Sequence, residues 1–162
     1  MTQQKKVLVV YYSLSGKTKK VAEDAARLLN GDIERIIDKK DRSGAGGYLV
    51  AAKDAALGAP TEIEPVKHDP AAYDLVVMGN PIWAWTMTPA VRKYITDNKA
   101  AFKEVAFFTS AGGSRPNKTV ERMEALCGKQ AKAFVGFFDE EYEEKNRPKY
   151  EEKLNGFVTK LR

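Results

Sequence analysis

Residues 6–18 read Lys6-Val7-Leu8-Val9-Val10-Tyr11-Tyr12-Ser13-Leu14-Ser15-Gly16-Lys17-Thr18. The unbroken apolar run Val7–Val10 suits a strand over Lys6–Tyr12 that is covered on both faces. The chain then turns polar and enters a helical pattern over Thr18–Asn30. There Val21, Ala25, Leu28 and Leu29 share one face, and Gly31 follows as a stop signal. A buried strand, a hydroxyl-rich loop and a helix make one βα unit. Its loop supplies Ser13, Ser15 and Thr18 hydroxyls, Gly16 for close backbone approach, and the free amides of a helix N-terminus. Those parts suit a phosphate group, since the amides point at it and the helix dipole favours its charge.

Outward from this unit, strand-like and helical stretches alternate. Asp32–Ile37 reads as a second strand, Asp41–Gly47 as a loop, and Tyr48–Leu57 as a helix closed by Gly58-Ala59-Pro60. Asp74–Gly79 is a third strand. Thr88 is a good helix N-cap with Pro89 at the first helical position, which opens a helix to about Asn98. Glu104–Thr109 is a fourth strand, Asn117–Leu126 a helix, and Ala131–Phe138 a fifth strand. Tyr150, Leu154, Phe157, Val158 and Leu161 mark one face of a last helix. Strands alternating with helices predict an open, mostly parallel, doubly wound α/β sheet in one domain spanning residues 1–162. Ligands bind such sheets beyond the carboxyl ends of the strands, where strand order reverses.

The ends of strands three and four add to the phosphate loop. After strand three comes Asn80-Pro81-Ile82-Trp83-Ala84-Trp85-Thr86-Met87-Thr88, whose two tryptophans offer flat apolar surface for a ring system. After strand four comes Ser110-Ala111-Gly112-Gly113-Ser114-Arg115, which has little bulk and lets a planar ligand lie against its backbone. A phosphate cradle, an aromatic wall and a glycine floor on one edge describe a flat ligand that carries a phosphate. Gly16-Lys17-Thr18 resembles the end of a nucleotide-binding P-loop. That motif needs a glycine where Tyr11 stands, and Met78-Gly79-Asn80 provides no metal-binding acid, so a nucleotide triphosphatase is not expected. A response-regulator receiver would need an aspartate at the end of strand three, which this chain lacks.

Composition narrows the classes further. With 43% hydrophobic and 30% charged residues the chain reads as globular and not disordered. Its single cysteine, Cys127, excludes an internal disulfide and any multi-cysteine metal site, and is expected to be buried and inert. The longest apolar runs are about six to eight residues, far short of a membrane span. The start lacks a cleavage signal after its short apolar run, so a cytoplasmic location is expected. The net charge is +5. Residues 139–153 hold seven acids and four bases, so the remainder carries +8. The bases are scattered without interleaved aromatics, and nucleic acid is not an expected partner. Attraction to anionic ligands or acidic partners is the alternative to an ordinary solvated surface. His68 is expected at the surface, and Glu140-Glu141-Tyr142-Glu143-Glu144 as a solvated loop or helix start. No converging metal ligands are seen.

Together these residues resemble flavodoxin and its short-chain relatives, which bind FMN. The matching segments are Ser13–Thr18, Tyr73–Ala84 and Phe107–Ser114. The resemblance implies a flavodoxin-like five-stranded parallel sheet of order 2-1-3-4-5 with helices on both faces. It implies FMN as cofactor, its phosphate held by Ser13, Leu14, Ser15, Gly16, Lys17 and Thr18. Its isoalloxazine would lie between Asn80, Pro81, Ile82, Trp83, Ala84 and Trp85 on one side and Ser110, Ala111, Gly112 and Gly113 on the other. Trp83 is the expected stacking partner. No catalytic side chain is named, because the flavin carries the electron chemistry. Two roles follow: a reductase passing electrons from NAD(P)H to a small acceptor such as a quinone, or an electron carrier docking on a redox protein. Carrier flavodoxins are usually acidic, whereas this chain is basic and has no tyrosine in its fourth-strand loop. A positive balance eases the addition of electrons to a bound flavin, which favours the reductase. Asp41–Tyr48, with its glycines, reads equally as a lip over the flavin or as a linker.

Overall fold

The apolar runs of the central strands are sandwiched between helices in the computed structural model, which describes residues 4–111 and 117–162. The strands are β1 (Val7–Tyr11), β2 (Asp32–Arg35), β3 (Leu75–Pro81), β4 (Glu104–Ala111) and β5 (Phe134–Phe138). They form one sheet of order β2-β1-β3-β4-β5, with all pairings parallel. The helices are α1 (Lys17–Leu29), α2 (Gly44–Leu57), α3 (Pro89–Asn98), α4 (Asn117–Cys127) and α5 (Arg147–Leu161).

Alternation along the strands splits the core in two. Val7, Val9 and Tyr11 of β1, with Leu75 and Val77 of β3, face α1 and α5. Leu8, Val10, Val76 and Met78 face the other way, against Tyr94 and Ile95 of α3 and Met123 of α4. Both faces of the central strands are therefore dry, which explains why β1 and β3 are continuous apolar runs. Gly79 of β3 lies under the Phe108 ring; a Cβ there would sit 2.1 Å from a ring carbon.

Element boundaries differ from the expectation where edge strands lose their partners. The β2 ladder ends at Arg35, two residues early, although Ile36 still donates to Tyr11 at 2.7 Å. The chain then pairs antiparallel with a later segment through an Asp38–Ile63 bridge. Before β5, the Lys132 amide and the Ala133 carbonyl already bond to β4, but the ladder itself starts at Phe134. α2 begins at Gly44, inside the stretch expected to be a loop, because the Arg42 side chain anchors its entry. Arg42 is fully buried and bonds Asp38 (Nε, 2.8 Å) and Asp54 (Nη1, 2.8 Å). Burial opposes its charge, but these two carboxylates outweigh it and raise its pKa. Among the described residues, no helix is long and apolar enough to cross a membrane.

Candidate functional site

β1 and β3 are neighbours while their following helices lie on opposite faces, so strand order reverses between them and a crevice opens at their carboxyl ends. The β1 loop turns on Gly16, whose φ of 96° is left-handed backbone that suits glycine, and whose open side has nothing within 4 Å. Gly16 donates its amide to Ser13 Oγ at 3.0 Å. No side chain caps α1 and no acid lies in its first turn. The leading amides of α1 therefore lack intrahelical partners. Ser13 and Thr18 are buried, whereas Leu14, Ser15 and Gly16 are exposed around this N-terminus. Lys17 Nζ is paired with Asp139 at 2.8 Å.

The β3 loop is fixed by Asn80. Its Oδ1 accepts from the Thr88 amide (2.9 Å) and the Thr88 hydroxyl (3.1 Å), and Thr88 Oγ1 in turn caps α3 by accepting from Val91 N at 3.3 Å. Between these anchors, Trp83 and Thr86 exchange both backbone bonds at 3.1 Å. The residues at the tip, Ala84 and Trp85, have φ of 49° and 61°. The half-buried Trp83 indole meets the Tyr12 ring edge-on at 5.5 Å and 84°. Trp85 is 67% exposed. The two tryptophans are thus divided between a wall and a projecting tip. Burial and the nearby Asp38 carboxylate raise the Tyr12 pKa to about 12, so the wall is neutral.

β4 closes the far side. Ile82 donates to the Ser110 carbonyl at 2.8 Å, joining Ile82 and Pro81 to Ser110 and Ala111. The Ser110 hydroxyl bonds the Tyr142 hydroxyl. Gly112 and Gly113 lie outside the described residues. Ser13, Ser15, Gly16, Lys17 and Thr18 thus share one strand end, and Asn80 through Trp85 meet Ser110 and Ala111 at the next.

Three residues were not singled out by the sequence: Tyr12, which braces Trp83; Thr88, seen only as a helix cap; and Tyr142. Tyr142 sits within the acidic run expected to be solvated, and the structure corrects that reading for Glu141. The Glu141 side chain is 2% exposed and held by Lys153 (2.7 Å) and Lys149 (3.4 Å). Burial opposes the Glu141 charge, but the Lys153 bond and charge prevail and lower its pKa. Tyr142 consequently packs against Phe137 and Tyr150. His68 is half-buried, its Nδ1 3.2 Å from the buried Glu34 carboxylate. Cys127 is buried, and burial raises its thiol pKa to about 12, consistent with an inert thiol. Among the described residues no cluster of acids, cysteines and histidines could hold a metal.

Among the described residues, two buried polar atoms at this edge have no partner: Asn80 Nδ2 and Thr86 Oγ1. Buried donors are normally satisfied, so a polar ligand edge at the β3 loop would complete both. With the uncapped α1 N-terminus, the residues fit a planar group bearing hydrogen-bond acceptors and a phosphate.

No curated protein sequence matches the chain. Solved structures do. A flavoprotein from Lactobacillus acidophilus in complex with FMN is 24% identical, with a TM-score of 0.71 over 85% of this chain and 95% of that one. A protein from Bacteroides uniformis is 19% identical, with a TM-score of 0.73 over 93% and 100% of the two chains. Oxidised flavodoxin 1 from Bacillus cereus is 18% identical, with a TM-score of 0.52 over 95% and 97%. These likenesses concern the fold. The Flavodoxin family model matches residues 6–142, most of the sequence, and the chain belongs to the flavodoxin family.

Proposed function

We propose that the protein binds one FMN per chain and passes electrons from a nicotinamide nucleotide to a small acceptor such as a quinone. The observation that carries the FMN assignment is the N-terminus of α1, with no capping side chain and no acid in its own first turn, set beside the Tyr12–Trp83 wall. The α1 amides with the Ser15 and Thr18 hydroxyls would hold the phosphate dianion. Trp83 would flank the ring, and Asn80 and Thr86 would donate to its polar edge. When bound, FMN supplies the uptake and release of one or two electrons; the chain orients it and sets its electrostatic surroundings. The surplus of bases outside residues 139–153 favours negative charge developing on the ring, which suits two-electron exchange.

A second reading, an electron carrier that docks on a redox protein, is favoured by apolar groups at the rim. Leu14 is 45% exposed and Trp85 67% exposed, and both could meet a partner surface. Oxidation of NAD(P)H by the FMN-loaded protein, with and without a soluble quinone, separates the two. Quinone-dependent turnover supports the reductase. Turnover only on addition of a second redox protein supports the carrier.

A further inference from the structure

The contacts around the crevice close into a circuit. Tyr12, which leads into the phosphate loop, meets the Trp83 ring at 5.5 Å. Ile82, next to Trp83, donates its amide to the Ser110 carbonyl at 2.8 Å. The Ser110 and Tyr142 hydroxyls are hydrogen-bonded to each other. Lys17 Nζ lies over the Tyr142 ring, 5.9 Å from its centroid, and Lys17 is the first residue of α1. The circuit thus returns to the phosphate loop. It joins that loop to the ring loop by two arms, one made of two aromatic rings and the other of two hydroxyls.

The hydroxyl arm is held in place on several sides. Tyr142 ends a short helical turn, Asp139–Tyr142, that is anchored at both ends. Asp139 pairs with Lys17 at 2.8 Å, and the buried Glu141 is bonded by Lys153 at 2.7 Å and accepts from the Phe138 amide at 3.3 Å. The Tyr142 ring packs on Phe137 and Tyr150. Burial raises the pKa of the Tyr142 phenol, so it keeps its proton. Serine and tyrosine hydroxyls each donate one hydrogen and accept on lone pairs. The pair holds two hydrogens, and the bond between them uses one. Among the described residues neither hydroxyl has another partner. One donor and spare lone pairs are therefore left between the phosphate loop and the ring loop. Packing of the aromatic cluster requires none of this, since phenylalanine would fill the same space.

We propose that Ser110 and Tyr142 form a polyol subsite, whose paired hydroxyls bind the hydroxylated chain that joins the phosphate of FMN to its ring. This rests on the reading of the crevice as an FMN site and deepens it. A ligand with its phosphate at α1 and its ring at Trp83 spans the gap between the two loops. The aromatic arm suits the ring, and the hydroxyl arm suits a chain whose hydroxyls each donate and accept. Ser110 is thereby assigned to the linker and not to the ring floor where the resemblance put it. Tyr142, outside the three loops read from the sequence, becomes a specificity-determining residue.

The test titrates the flavin-free protein with FMN and with an FMN analogue whose ring and phosphate are joined by an alkyl chain without hydroxyls. Wild type should bind FMN more tightly than the analogue. Tyr142→Phe and Ser110→Ala should each weaken FMN binding by about three- to tenfold, the scale of one neutral hydrogen bond, and leave the analogue's affinity unchanged. The ratio of the two affinities is the deciding readout, because a merely structural role would lower both together. Should one variant fail to fold, the other carries the comparison. Equal losses for the two flavins, or unchanged affinity for FMN in a folded variant, overturn the subsite. So does a wild-type protein that binds the analogue as tightly as FMN, with the FMN reading left standing. A chain that takes up neither flavin overturns that reading and this one with it.

Discussion

The Trp83 indole stands edge-on to the Tyr12 ring, 5.5 Å between centroids at 84°, and so ties the end of β1 to the loop after β3. This contact joins the phosphate loop to the ring loop across the point where strand order reverses. A flat ligand bridging both loops would find its wall already braced. Trp83→Ala should weaken FMN binding by about 0.5–1.5 kcal/mol beyond the lost contact area, as for a favourable aromatic pair. FMN should also quench tryptophan fluorescence, and the quenching should fall in Trp83→Ala. A larger loss of FMN affinity in Trp85→Gly would assign the wall to the wrong tryptophan.

Asn80 holds both the amide and the hydroxyl of Thr88, while its own Nδ2 has no partner among the described residues. Asn80→Ala leaves the buried Thr88 amide without an acceptor. Urea unfolding of the flavin-free protein should show a loss of about 1–3 kcal/mol, the cost of an unsatisfied buried group. Unchanged stability would mean that the loop finds another anchor.

Gly79 has no room for a side chain beneath Phe108. Gly79→Ala should destabilise the fold by about 1–3 kcal/mol through overpacking. Replacing Phe108 by leucine in the same chain should recover part of the loss, which a double-mutant cycle in urea would measure. Additive effects would contradict a direct clash.

Glu141 gives the fold an acid-sensitive joint. Its pKa in the folded chain lies below the ordinary 4.5, chiefly because the Lys153 bond and charge outweigh burial. A depressed carboxylate stabilises the fold fully above its unfolded pKa, and that stabilisation fades as pH falls through the folded value. Glu141→Gln should cost about 3 kcal/mol at pH 7, the scale for breaking a largely buried pair. The gap from wild type should shrink steadily below about pH 4.5. A gap that is the same at pH 7 and pH 3 would show that the charge is not what matters.

The sequence made the central layers legible because burial on both faces leaves a run that no surface strand would tolerate, as in Val7–Val10 and Leu75–Met78. The phosphate loop and the tryptophan loop followed from their place after those strands. What stayed hidden was long-range pairing. Glu141 reads as one acid among several until α5 brings Lys149 and Lys153 against it. Arg42 sits in a glycine-rich stretch that looks like a linker, yet its guanidinium is closed between Asp38 and Asp54. Trp83 and Trp85 differ by two positions and have the same chemistry. Only the left-handed turn at Ala84 and Trp85 separates the braced indole from the projecting one.

The FMN assignment turns on the phosphate cradle after β1, and paired titrations of the flavin-free protein with FMN and riboflavin test it most directly. FMN should bind at one per chain and more tightly than riboflavin. Ser15→Ala should lose about 1.5–3 kcal/mol of FMN affinity, the range for a hydrogen bond to a charged group, with riboflavin binding nearly unchanged. Equal affinity for the two flavins, or equal losses on Ser15→Ala, would contradict the account.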